Sequence, residues 1–129
     1  MNTHVTIGLS MLVVGAVIGA AAVQELHAQG KAPVYQIAEI DVTNPEGFAK
    51  DYAPRVQALL KSMGGRYVVA GGAKITAEEG QPPKRVAIST WDSLEKIHAF
   101  YNSAEYKELR KTGDKYAKFH IYAVEGLAQ

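Results

Sequence analysis

Cysteine is missing from this chain of 129 residues. Disulfide bonds, iron–sulfur clusters, thiol nucleophiles and cysteine-type zinc sites are therefore excluded. Histidine is scarce as well, because only His98 and His120 lie beyond residue 28. No second histidine stands at a metal-ligand spacing from His120. We therefore predict neither a metal site nor a cofactor.

The chain also lacks an excess of charge of either sign. Residues 1–28 hold one of the 13 acidic residues and none of the 14 basic ones, so the remainder carries a net charge of only +2. Basic and acidic residues alternate over residues 107–118, which is typical of a solvated helix face. We expect no nucleic-acid partner.

Strong catalytic and nucleotide-binding motifs are absent too. The sequence contains no P-loop, no dinucleotide fingerprint and no HExxH pair. Gly64-Gly65 and Gly71-Gly72 are interpreted as the ends of a helix and a strand, where glycine permits a tight turn. The sequence therefore names no catalytic residue.

One long uncharged stretch is present, VTIGLSMLVVGAVIGAAAV at residues 5–23. Followed by Leu26-His27-Ala28, it resembles a signal peptide cleaved before Gln29, and it is also almost long enough for a membrane anchor. A buried helix of the fold is a third interpretation. We predict a signal peptide or membrane anchor at 1–28, a linker at 29–33 and one domain at 34–127. The protein is then exported, periplasmic or secreted, or it is anchored in a membrane by residues 5–23. It contacts a membrane only through this segment, and only if the segment is not cleaved.

Strand and helix patterns alternate in the remaining sequence. β-branched runs predict strands at 34–42, 66–70, 85–91 and 118–124. Asn44-Pro45 predicts the start of a helix that Pro54 kinks near residues 50–53 and Gly64-Gly65 ends. Its apolar stripe consists of Phe48, Tyr52, Val56, Leu59, Leu60 and Met63.

A second helical region is predicted to begin at Asp92 with Glu95 in a capping box, and to restart at Glu105. The resulting order βαββαβ is the ferredoxin-like α+β arrangement, a four-stranded antiparallel sheet with both helices on one face. We place Phe48, Val56, Leu60 and Ile88 in the core between these layers. The other sheet face is left bare and apolar, so we expect a second copy to cover it in a homodimer.

Strand alternation predicts which side chains share that open face. Val86, Ile88 and Thr90 suit the helix layer, which would place their alternates Arg85, Ser89 and Trp91 on the open face. The same reasoning gives seven ligand-binding candidates there: Tyr35, Glu39, Arg85, Ser89, Trp91, His120 and Tyr122.

These seven residues would suit a small, partly apolar and anionic molecule. Arg85 would anchor its carboxylate with two hydrogen bonds, and Trp91 would supply an apolar wall. Glu39 would either orient Arg85 or repel the anion. The alternative is an ordinary dimer interface in which Glu39 and Arg85 pair.

Several short motifs resemble the DUF1330 family of small bacterial proteins, within the dimeric α+β barrel superfamily. The resemblance covers nearly all of residues 33–127 and rests on Tyr35, Tyr52-x-Pro54, Gly64-Gly65-Arg66, Gly71-Gly72, Glu79-Gly80, Pro83-x-Arg85, Trp91-Asp92-Ser93, Phe100-Tyr101-Asn102-Ser103-x-Glu105-Tyr106 and Val124-Glu125-Gly126. It implies the ferredoxin-like fold and dimerisation. The family has no established general activity.

Three functions are compatible with these observations. The first is an exported homodimer that binds a small molecule between sheet and helices. The second is a cofactor-free enzyme, by analogy with monooxygenases and isomerases of the same superfamily, in which one polar residue moves a proton. The third is a pure interaction module.

Overall fold

Residues 32–128 are described by the computed structural model. The predicted leader at 1–28, with its cleavage and anchor alternatives, lies outside the described residues, as does most of the predicted linker. Within residues 32–128, no helix is long and apolar enough to cross a membrane.

Four strands form one sheet: β1 Val34–Val42, β2 Arg66–Val69, β3 Val86–Trp91 and β4 Ala117–Glu125. Their order is β2-β3-β1-β4 and every neighbouring pair is antiparallel. This is the ferredoxin-like strand order, which confirms the predicted α+β fold. The strand bounds differ from the prediction by one residue at several ends.

The first helical region begins at Asn44, as predicted, because its side chain accepts the Gly47 N–H at 3.0 Å. It consists of α1 Pro45–Gly47, a π-helical turn Phe48–Tyr52 and α2 Ala53–Ser62. The irregularity therefore precedes Pro54. Pro54 itself lies in the first turn of α2, where its missing N–H is tolerated. Gly64 ends the region with φ of 103°, a conformation that favours glycine.

The second helical region consists of α3 Leu94–Asn102 and α4 Ala104–Gly113. Its predicted cap was wrong by one residue. The Ser93 hydroxyl accepts the Lys96 N–H at 3.3 Å, while the Asp92 carboxylate pairs with the Lys96 ammonium at 3.1 Å. Asp and Ser are equally good caps, and here they are adjacent, so the sequence alone did not choose between them.

The predicted faces of β3 were also wrong. In the register with β1, Ser89 faces Gln36 and Trp91 faces Val34, on the side that the helices cover. Ser89 is 0% exposed and Trp91 is 1% exposed. Val86, Ile88 and Thr90 are the alternates and lie on the open face, so Ile88 is not part of the core beneath the helices. Arg85, just before β3, shares the side of Ser89 and Trp91.

Burial of the indole explains this choice of face. Alternation along a strand decides which residues share a side but not which side is covered. A tryptophan removes more apolar surface from water than an isoleucine or a valine does. Trp91 packs against Phe100 at a ring-centroid distance of 5.5 Å, and Ser89 and Arg85 follow it to the helix side.

Candidate functional site

A cavity lies between the sheet and the helices; we call it the central cavity. It leaves about 60 Å³ in which a water-sized group can move, several times the space that one water needs. Aromatic and aliphatic side chains dominate its wall, which includes Phe48, Tyr52, Val56 and Leu60 from the first helical region, Ala38, Ile40, Ala87, Phe119 and Ile121 from the sheet, and Tyr67, Tyr101 and Tyr106. The polar members are Gln36, Gln57 and Arg85, besides the tyrosine hydroxyls.

Arg85 is the cation of this cavity. Its guanidinium carbon lies 5.0 Å from the centroid of the Phe48 ring, and its Nε is buried without a hydrogen-bond partner. A Cβ on Gly71 would stand 2.8 Å from that Nε, so glycine leaves the room that the guanidinium occupies. Among the ion pairs of residues 32–128, none involves Arg85. The guanidinium therefore retains donor capacity for an anion.

Tyrosine hydroxyls supply further polar atoms. Burial raises the pKa of Tyr67 to about 12, and burial is also the main reason that the pKa values of Tyr52 and Tyr101 are raised. These phenols are therefore neutral near pH 7 and can donate hydrogen bonds. The Tyr106 hydroxyl accepts a hydrogen bond from Arg110 Nη1 at 3.2 Å.

A buried hydrogen-bond chain runs beneath the cavity. Trp91 Nε1 donates to Ser89 Oγ at 2.9 Å, and Ser89 Oγ donates to Gln36 Oε1 at 2.7 Å. Gln36 is 4% exposed and lines the cavity. The chain satisfies three polar groups that would otherwise be costly to bury.

Proton-transfer groups of the usual kinds are not part of the wall. Among the described residues that line the central cavity there is no aspartate, glutamate or histidine. His120 is exposed on the open face, and His98 is exposed on α3. The central cavity can therefore hold an anion by its side chains, but it presents no ordinary general base.

The seven predicted site residues do not lie together. Arg85 lines the central cavity, and Ser89 and Trp91 are buried beside it, on the helix side. Tyr35, Glu39, His120 and Tyr122 share the open face, as the register of β1 with β4 requires. The Tyr122 hydroxyl donates to Glu39 at 2.6 Å, and this hydrogen bond raises the pKa of Tyr122. Glu39 therefore lies on the face opposite Arg85 and cannot pair with it through the sheet.

Sequence reasoning missed the other polar residues of the central cavity. Gln36 had a signal, because it interrupts the apolar alternation of Val34, Ala38 and Ile40 in β1. Tyr52, Tyr67, Tyr101 and Tyr106 had none beyond their apolar spacing, since a tyrosine ring fills a core position as phenylalanine does. No group of three or more His, Asp or Glu among residues 32–128 could hold a metal ion.

Solved structures support the fold. Methylated RPA0582 protein superposes with a TM-score of 0.59 at 16% identity, covering 81% of this chain and 91% of that one. A second structure of RPA0582, a protein of unknown function from Rhodopseudomonas palustris, gives a TM-score of 0.57 at 14% identity over 82% and 95% of the two chains. At these identities the likeness concerns the fold alone.

A third structure is a conserved protein of unknown function from Bacteroides thetaiotaomicron, described as a possible oxidoreductase. Its TM-score of 0.44, at 18% identity over 74% and 98% of the chains, is too low to support an argument about activity. No curated protein matches this chain.

A family profile also matches this chain. Residues 33–127, which include all four strands and all the helices described above, match the profile of a domain of unknown function, DUF1330. This protein therefore belongs to the DUF1330 family.

Proposed function

We propose that this protein binds a small carboxylate with an apolar body in the central cavity, and that Arg85 anchors the carboxylate. The observation that carries the proposal is the buried Arg85 Nε without a partner, at a cavity otherwise lined by aromatic and aliphatic groups. A buried N–H donor without a partner is unfavourable, so the Nε is expected to meet an acceptor, and the guanidinium charge favours an anionic one. The guanidinium fork matches a carboxylate.

The opposite placement of Glu39 supports an anionic ligand. If Glu39 neutralised Arg85, the site would favour neutral aromatic molecules instead. Glu39 is hydrogen-bonded to Tyr122 on the other face of the sheet. The positive charge of Arg85 is therefore available on the cavity side.

Binding without proton transfer agrees best with this wall. The cofactor-free enzyme remains the competing function, but the lining residues offer donors and no carboxylate or imidazole base. The phenols of Tyr52, Tyr67 and Tyr101 cannot serve as bases near pH 7, because burial raises their pKa values. A substrate that supplies its own base is the case in which an enzyme would still be compatible with this cavity.

The test is a titration with linear and aromatic monocarboxylates and the matching primary amides. Trp91, the single tryptophan of the chain, reports binding through its fluorescence, and calorimetry gives the affinities. We expect the carboxylates to bind and the amides to bind weakly. Arg85→Gln should lower carboxylate affinity by about ten- to a hundredfold, the effect of losing a charge-assisted hydrogen bond.

Arg55→Gln is the matched control, because Arg55 is exposed on α2 and does not line the central cavity. Carboxylate binding should be unchanged in this variant. Equal binding of acid and amide, or full carboxylate affinity in Arg85→Gln, would contradict the proposal.

We also propose that a second copy of the chain covers the open face. Ile88, Ile37 and Tyr122 are directly paired across β3, β1 and β4, so an apolar row crosses this face. Tyr122 and Val124 are 45% and 46% exposed. When this face packs against the same face of a second copy around a two-fold axis, the apolar row of each copy is buried.

Sedimentation of the purified protein tests this second proposal. The wild type should sediment as a dimer at micromolar concentration. Ile37→Glu should give a folded monomer, while Ala58→Glu, at an exposed position of α2 on the helix side of the sheet, should leave the dimer intact. A wild-type protein that is a soluble, folded monomer would show that the open face has another role.

A further inference from the structure

The Gln36 side chain has a fixed orientation at the wall of the central cavity. Ser89 is 0% exposed and its hydroxyl has one proton. The hydroxyl already accepts the Trp91 indole proton, which can only be donated. Its own proton goes to Gln36 Oε1, so the amide oxygen faces Ser89 and the amide NH₂ points elsewhere.

The NH₂ group of Gln36 remains as an unused donor. No other hydrogen bond of the Gln36 side chain occurs within residues 32–128. Gln36 lines the central cavity and also an adjoining cavity of about 280 Å³ between α3, α4 and β4, lined further by Ile97, His98 and Arg110. The free donor therefore has cavity space beside it, where a bound molecule can reach it.

Gln36 and Arg85 lie on the same side of the sheet with a floor of small residues between them. Ala38 and Ala87 face each other across β1 and β3 at that point. The Arg85 carbonyl accepts the N–H of Ile40, which lies four residues from Gln36 along β1. The backbones of Gln36 and Arg85 are therefore about 13 Å apart in the strand direction. The side chains of Gln36 and Arg85 are both longer than alanine, and they lie on either side of Ala38 and Ala87.

We infer that Gln36 is a specificity-determining residue, and that the ligand carries a carbonyl oxygen in addition to the carboxylate that Arg85 binds. This inference rests on the proposed function, since it assumes an anion at Arg85. Gln36 donates to the carbonyl oxygen, and Ser89 is a positioning residue that acts through Gln36. The ligand class is therefore a short keto acid, with its two oxygen-bearing ends joined by an apolar chain over Ala38 and Ala87.

The probes are a homologous series of linear keto acids from levulinate upward, each paired with the acid of the same length that lacks the keto group. We expect one chain length at which the wild type prefers the keto acid by about tenfold, the worth of one hydrogen bond in a buried site. Gln36→Leu should abolish this preference and leave binding of the plain acid. Ser89→Ala should reduce the preference in the same way, because the amide is then free to turn its oxygen toward the ligand.

Gln81→Leu is the matched control, since Gln81 is an exposed glutamine that lines neither of these cavities. It should keep the preference. If Gln36→Leu does not fold, Gln36→Met and Ser89→Ala carry the same test. Keto and plain acids bound equally at every length, with both lost in Arg85→Gln, would overturn this inference and leave the proposed function standing. Failure of both series to bind would overturn the proposed function itself.

Discussion

At the scale of single residues, Arg85 is the feature of this molecule that ordinary folding does not explain. Arg85 is partly exposed, but its Nε is buried next to Phe48 and Gly71 without a hydrogen-bond partner. Stacking on an aromatic ring offsets part of the lost hydration. The remaining cost is what an anionic ligand would relieve.

Gly71 provides a test of this packing that does not touch Arg85 itself. In Gly71→Ala, the new Cβ would meet the guanidinium at 2.8–2.9 Å. The guanidinium is the end of a flexible side chain and can move away, so we expect the free energy of unfolding to change by less than about 1 kcal/mol. Carboxylate affinity should fall at least tenfold. Unchanged affinity in the titration described above would show that the position of the guanidinium does not matter for binding.

The buried tyrosines predict how stability depends on alkaline pH. Burial raises the pKa of Tyr67 to about 12 from an ordinary value of 10.0, so the folded protein favours the neutral phenol. The contribution of the neutral phenol to the free energy of unfolding is complete below about pH 10, and it is lost as the pH rises from about 10 to 12. Tyr52 and Tyr101 shift in the same direction for the same reason.

Two measurements check this. Tyrosinate absorbance should show these three phenols ionising after the exposed ones, together with unfolding. In denaturant unfolding, the contribution of these tyrosines to the free energy of unfolding should be constant at pH ~7 to 9 and should fall above pH ~10. If Tyr67→Phe does not make the decline above pH 10 shallower, the phenol is not buried in solution.

At the scale of elements, the π-helical turn determines which side chains of the first helical region lie on the same side of the helix. Phe48, Tyr52, Val56 and Leu60 all line the central cavity, at intervals of four residues. In a regular α-helix, Phe48 and Leu60 are twelve residues apart and would point in directions about 120° apart around the axis. The π turn absorbs one residue, roughly 100°, which brings Phe48 and Leu60 back to the same side.

Single-residue deletions test this account of phase. Deleting Ala49, which is exposed in the π turn, should give a regular helix that keeps all four residues on one side, so the protein should fold with little loss of stability. Deleting Ala58, which is exposed in α2, should rotate Leu60 by about 100° and destabilise strongly. Thermal unfolding compares the two. Equal destabilisation by both deletions would contradict the account.

At the scale of the whole molecule, pattern reasoning from the sequence identified the fold but not the site. Strand and helix periodicity and the caps at Asn44 and Gly64 were sufficient for the ferredoxin-like order. The faces of β3 were not, because alternation leaves the covered side open and Trp91 decides it by burial. Because the faces of β3 are exchanged relative to the prediction, Arg85 lies at the central cavity and not on the open face with Glu39.

Long-range contacts also escaped the sequence. The Trp91–Ser89–Gln36 chain depends on the register of β1 with β3, which no local pattern contains. The approach of Gly71 to Arg85 depends on where the chain turns after β2. By contrast, the pairing of Tyr122 with Glu39 agrees with the predicted faces of β1 and β4, because both residues were placed on the open side.

The most direct measurement is native mass spectrometry of the protein purified from its own host. We expect a small anionic molecule to copurify with the wild-type protein, to be retained by Arg55→Gln and to be missing from Arg85→Gln. A molecule retained equally by Arg85→Gln, or a wild-type protein that carries nothing and binds none of the carboxylates, would contradict a carboxylate site at Arg85.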